Sequence, residues 1–173
     1  MIRLRPHHLL CMLTYAGRGY TPRFTSGMDD LIARLGGGEE ILLIDGPDDI
    51  CAPWLEEARL EEARLNEAAG SIAAEKAAAI QGGGEIRAPH CHEDRITQRD
   101  QKATADIAAL LQQELKTGSR LRLDAALIAR LRHAFRDNII RSGCTACEWK
   151  DFCDSLSAGD FTGCRLQASS QAR

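Results

Sequence analysis

The chain has 173 residues, with 22 Lys and Arg against 25 Asp and Glu, a formal charge of -3. That length admits one domain with a buried core, and the slight acidic balance argues against a general polyanion binder, whose basic excess would crowd one face. The positive charges near Met1 have no apolar stretch of signal-peptide length behind them, and no apolar run is long enough to span a bilayer, so the expectation is a soluble cytoplasmic protein without a membrane partner. Seven cysteines in a cytosolic chain point to metal ligands, redox groups or small buried hydrophobes rather than a disulfide framework, and the odd count agrees. Aromatics make up 5% of the residues while Ala, Leu and Ile dominate the apolar fraction, so the expected fold class is mostly α with a small β element.

Pro6 suits a first helical turn, and Leu9, Leu10 and Leu13 give apolar surface beyond it, predicting a helix from about Pro6 to Tyr15. His7 and His8 precede Cys11 by four and three residues, so either imidazole can share a face with the thiol. The competing reading is a buried structural Cys11 with locally bonded histidines. Gly17, Gly19 and Pro22 break the pattern, and after Ser26 the stripe Met28, Leu31, Ile32, Leu35 predicts a short amphipathic helix. The apolar run 41–44 between Glu40 and Asp45-Gly46-Pro47 is the best strand candidate, with Arg3-Leu4 or Leu121-Arg122-Leu123 as its partner.

Asp48 and Asp49 can cap a turn presenting Cys51. The Ala, Glu and Arg text that follows, with Leu-Glu-Glu-Ala-Arg written at 55–59 and again at 60–64, predicts a helical arm or insertion over 55–84. Its five-residue repeat holds no single face, so a solvated spacer is the expectation. Cys91 is flanked by His90 and His92. Thr97 and Asp100 resemble a capping box for a helix with the stripe Ala103, Ile107, Leu110, Leu111, Leu115, and Asp124 caps another with Leu127, Ile128, Leu131 and Phe135. The arginines around it, Arg120, Arg122, Arg130, Arg132, Arg136 and Arg141, read as a solvated face, a docking patch or positive charge offsetting metal-bound thiolates.

The chain is organised around Cys144-Thr145-Ala146-Cys147 and Cys153, followed by Cys164. Thiols at these spacings can turn three or four sulfurs to one point, which a packed core does not require, and Trp149 and Phe152 supply an apolar cover. A zinc knuckle usually shows two close ligand pairs. Here one close pair is followed by wider spacings, which favours an iron-sulfur cluster, with zinc as the alternative cofactor. Cys144, Cys147 and Cys153 lead as ligands. Cys11 and Cys51 rank ahead of Cys164 and Cys91 for the fourth, and a second site, if present, would take Cys11, Cys51, Cys91 and His8.

Arg5-Pro6-His7-His8-Leu9-Leu10-Cys11, then Gly17-Arg18-Gly19-Tyr20, Phe24, Met28 and Pro47-Asp48-Asp49-Ile50-Cys51, resemble the opening of an uncharacterised family of small bacterial and archaeal proteins often labelled iron-sulfur or ferredoxin-like. The resemblance resumes near Cys91 and implies a cysteine and histidine metal-binding domain, with Cys11, Cys51 and Cys91 at family positions. It departs where the family has a second thiol after Cys51, since Trp54 stands there. The spacing of Cys144, Cys147 and Cys153 is also similar to the iron-sulfur staple of RecB-like and CRISPR-associated nucleases, without their acidic and lysine active-site pattern.

The sequence thus predicts one metal-binding domain over 1–173 whose two ends join at a cysteine metal or cluster site. Its expected function is iron-sulfur binding, as an electron carrier with a redox partner protein or as a redox-responsive protein. The alternative is a structural zinc module for protein interaction or nucleic acid, though nucleic acid is the minority partner. No phosphate loop, nucleophile elbow or placed carboxylate pair is visible, so a non-enzyme is favoured over a thiolate nucleophile served by His7, His8 or His92.

Overall fold

The computed structural model describes residues 1–69 and 90–167. Among these residues the chain forms six α-helices and three short strands, a mostly α arrangement with a small sheet, as the composition implies. The elements run β1 (Ile2–Leu4), α1 (Pro6–Leu13), α2 (Pro22–Gly36), β2 (Ile41–Leu43), α3 (Ala52–Ala69), α4 (Asp94–Leu111), β3 (Arg120–Leu121), α5 (Ala125–Arg136), a 3-10 turn over Ser142–Cys144, and α6 (Lys150–Ala158).

β2 is the central strand and takes both of its expected neighbours. Ile2, Arg3 and Leu4 pair with it in parallel, and on its other edge Leu121 and Arg120 pair antiparallel with Ile41 and Leu42. Ile2, Leu4, Ile41 and Leu43 alternate onto the buried face.

α1 begins at Pro6, as expected of a proline at a first helical turn, and stops at Leu13, two residues before the predicted end. Leu9, Leu10, Met12 and Leu13 are all buried, and the helix packs against α4 and α5. Each such side chain contributes about 1.5–3 kcal/mol by leaving water. Facing it are Ala103 and Ile107 of α4 and Ile128, Leu131 and Phe135 of α5.

Two boundaries differ from the sequence expectation for physical reasons. α2 starts at Pro22, because Thr21 accepts from the Phe24 N–H at 3.1 Å and Pro22 is the first residue of the helix rather than a breaker. α4 starts at Asp94, so Asp100 lies inside the helix and does not cap it. Its carboxylate turns to α1 instead. Asp124 caps α5 as read, accepting from the Leu127 N–H at 2.7 Å. The described part of the 55–84 arm is the continuation of α3, whose surface carries i, i+3 pairs Glu56–Arg59 and Glu61–Arg64; its remainder lies outside the described residues.

The C-terminal segment returns to the end of α1. The Arg165 N–H donates to the Tyr15 carbonyl at 2.8 Å, and Arg132 donates to the carbonyls of both Leu13 and Leu166. The two ends of the described chain therefore meet. No helix among the described residues is long and apolar enough to cross a membrane.

Arg5 is 1% exposed, and its guanidinium donates to Asp100 Oδ2 at 2.7 Å. Removing one partner of such a pair leaves the other charge buried and uncompensated, at a cost of about 3–5 kcal/mol. Asp100→Ala is expected to lose stability of that order in urea unfolding, well beyond the loss from the exposed pair variant Glu61→Ala.

Candidate metal centre

The first turn of α1 is gripped by two carboxylates. Asp48 Oδ1 accepts from the Ile50 and Cys51 N–H groups at 3.0 and 3.1 Å, capping the start of α3, while its Oδ2 accepts from the Arg5 N–H at 2.7 Å and lies 2.6 Å from His8 Nδ1. Burial pushes the Asp48 carboxyl up, but His8 and the backbone donors outweigh it and hold the group at about 2. Asp100 Oδ1 lies 2.5 Å from His7 Nδ1. Burial, reinforced by the neighbouring His8 and opposed by Asp100, lowers His7 to about 4, so its ring is neutral at neutral pH and donates through Nδ1. Both imidazoles line one cavity of about 110 Å³.

That cavity also carries Cys11, Cys51, Cys91, Cys147 and Cys153 on its wall. The thiols divide into two sets. Cys11 on α1 has Cys147, Cys153 and Cys144 as its thiol neighbours, and after burial these are what push its thiol well above the ordinary value, with Arg99 opposing. Burial likewise raises Cys144 and Cys153; Arg141 opposes it at the first, and at the second a hydrogen-bonding contact from Thr14 Oγ1 at 3.2 Å. A bound cation would favour the thiolate form that burial opposes at Cys11, Cys144 and Cys153.

Cys51 and Cys91 form the second set. Their mutual interaction, with burial, raises the Cys51 thiol, while at Cys91 the same interaction outweighs burial and, helped by His8 and Arg5, lowers the thiol. Arg5 also fixes Cys91 from behind, donating to its carbonyl at 2.5 Å. His8, Asp48 and Cys51 bring one ligand atom each within 4.8 Å of one another, and among the described residues they are the one such group of three.

Cys164 is placed elsewhere. It is buried in the hydrophobic core with Arg132 as its charged neighbour and is absent from the cavity wall. His92 is exposed.

The cysteine turn reaches α1 because Gly143 lets it dock. A Cβ at that position would stand 2.9 Å from the Arg99 carbonyl of α4 and 3.2 Å from its Cγ. Arg99 lies on the cavity wall beside the thiols, and Arg141, buried over the Phe135 ring at 4.2 Å, pairs with Asp154 at 2.5 Å. Of the six arginines noted in the sequence, Arg141 stands beside a thiol of the first set, and Arg132 serves carbonyls and Cys164. Arg99 was outside that group, and no local signal marks it.

Aromatic rings close the cavity. Tyr20 stacks on Trp54 at 4.3 Å and 11°, and meets Trp149 edge-on at 5.6 Å. The Trp149 indole donates to Tyr20 Oη, which donates to Glu148. Trp54, standing where the resembled family has a thiol, is thus buried wall rather than ligand, and Phe152 lines the cavity with Trp149.

With the two thiol sets in place, the comparison with known families becomes informative. Residues 76–153 match a DUF1284 domain, described as a protein of unknown function. No curated protein and no solved structure matches the chain. The DUF1284 span takes in Cys91, Cys144, Cys147 and Cys153 and leaves out Cys11, Cys51 and the opening residues on which the family resemblance rests. The partners that complete both thiol sets therefore come from outside it.

Gly143→Ala is expected to keep the helical circular dichroism while lowering stability by about 1–3 kcal/mol, the range for overpacking a tight contact. A melting temperature equal to that of the parent protein would mean that the turn does not press on α4.

Proposed function

We propose that the protein binds an iron-sulfur cluster through Cys11, Cys144, Cys147 and Cys153 and acts as an electron carrier or redox-responsive protein. The observation that carries the reading is the position of Cys11, from the N-terminal helix, among three sulfurs more than 130 residues further along the chain. Sulfurs gathered from distant parts of the chain are what a thiolate-bound metal or cluster requires and a packed core does not.

Spacing favours a cluster over zinc. One close thiol pair, Cys144 and Cys147, is followed by Cys153 and joined by the distant Cys11, where a zinc site usually shows two close ligand pairs. The surroundings suit a cluster as well: Arg99 and Arg141 offset the negative charge of a thiolate-bound cluster, and Tyr20, Trp149 and Phe152 limit solvent, both of which tune a cluster's potential. Zinc at the same four sulfurs, as a structural interaction module, is the second reading.

Anaerobically purified protein is expected to be brown, to contain iron and acid-labile sulfide, and to bleach with dithionite. Cys147→Ala and Cys11→Ala should lose the colour and the iron, while Cys164→Ala should keep both. Colourless protein with stoichiometric zinc lost in Cys147→Ala would replace the cluster reading with the zinc one.

A further inference from the structure

The thiols left over by the cluster reading form a site of their own. We propose that His8, Cys51 and Cys91 hold a single zinc ion, with Asp48 as the carboxylate that fixes the His8 ring and the fourth coordination position open to the aromatic-walled cavity.

Three separate parts of the chain supply the donors: α1, the turn entering α3, and the segment before α4. Two thiolates and an imidazole are the soft and borderline ligands zinc favours, and three protein ligands with one open position are its usual catalytic arrangement. A ring nitrogen of His8 and the Cys51 sulfur already lie within 4.8 Å, and Cys91 shares the cavity wall with both.

Asp48 stands within the same distance but has no lone pair to spare. A carboxylate offers about four acceptor positions, and here the N–H groups of Ile50, Cys51 and Arg5 and the Nδ1 of His8 fill them. Its part is therefore that of the carboxylate in a carboxylate–histidine–zinc triad: it accepts a hydrogen bond from Nδ1–H and leaves Nε2 as the coordinating atom. Arg5 supports the arrangement twice, through its N–H to Asp48 and its guanidinium to the Cys91 carbonyl.

A second, independent observation points to an occupant beside the metal. The indole N–H of Trp54, in a residue 2% exposed on the cavity wall, is buried with no acceptor. An unpaired buried donor is costly, and a water, hydroxide or small anion held in this cavity is the acceptor chemistry it lacks.

Metal analysis of the full chain, purified anaerobically with iron and zinc in the medium, tests the assignment with two sets of variants. One zinc per chain beyond the iron is expected. Cys91→Ala and His8→Ala should lose that zinc and keep the iron, and Cys147→Ala should do the reverse. Asp48→Asn should retain zinc with affinity lower by about 10–100-fold, the usual effect of removing such a carboxylate, read by chelator competition. Cobalt in place of zinc should give thiolate charge-transfer bands and visible bands that shift on adding azide. Should the four-thiol site prove to hold zinc, the chain would carry two zinc ions, of which Cys91→Ala removes one, so the two assignments fail independently. Unchanged zinc in folded Cys91→Ala and His8→Ala variants, a Cys51–Cys91 disulfide with no zinc bound, or cobalt bands indifferent to azide would overturn the proposal.

Discussion

The guanidinium of Arg5 is the interaction on which the rest of the molecule depends. It sits almost wholly out of water, neutralised by Asp100 of α4, and reaches the Cys91 carbonyl on the other side, while the Arg5 N–H is taken by Asp48. Burying a guanidinium is costly unless it is paired and hydrogen-bonded. Here the pairing joins α1, α4, the turn before α3 and the segment before α4 at a single point. His7 and His8 follow Arg5 within the first turn and are held by the same two carboxylates, so the groups that fix the helix also fix the imidazoles.

From that anchored turn α1 carries the chemistry of both thiol sets. His8 stands beside Cys51 with Cys91 on the same cavity wall, and Cys11, three residues later on the same helix, has Cys144, Cys147 and Cys153 as its thiol neighbours. One helix thereby organises donors of both groups around one cavity, which Cys144 alone of them does not line, and Tyr20, Trp54 and Trp149 form its aromatic wall. In the proposed account the two centres have different work: the cluster moves or senses electrons, and the zinc presents an open position.

Much of this frame was readable before folding. Pro6, Asp124 and the apolar run at 41–44 gave α1, α5 and, over its first three residues, the central strand because each rests on a local rule that the tertiary structure leaves alone. Asp100 shows where local rules stop. It stands three residues after Thr97 like the end of a capping box, yet its partners are Arg5 and His7, more than 90 residues away in the chain. Pro22 was ambiguous for a related reason, since proline both breaks a helix and begins one, and Thr21 decides between the two. The partition of the thiols was hidden in the same way. Spacing marks Cys144, Cys147 and Cys153 as a group, but only the packing of α1 assigns Cys11 to them and pairs Cys51 with Cys91. Gly143 and Arg99 carry no signal apart from each other, because what matters is the close approach of one to the other.

The central claim is that sulfurs from the two ends of the chain share one inorganic core, and anomalous diffraction from crystals grown without oxygen tests it most directly. Data collected on either side of the iron absorption edge should give a strong peak enclosed by Cys11, Cys144, Cys147 and Cys153. No iron peak at that place, in crystals of protein shown to contain iron, would contradict the account.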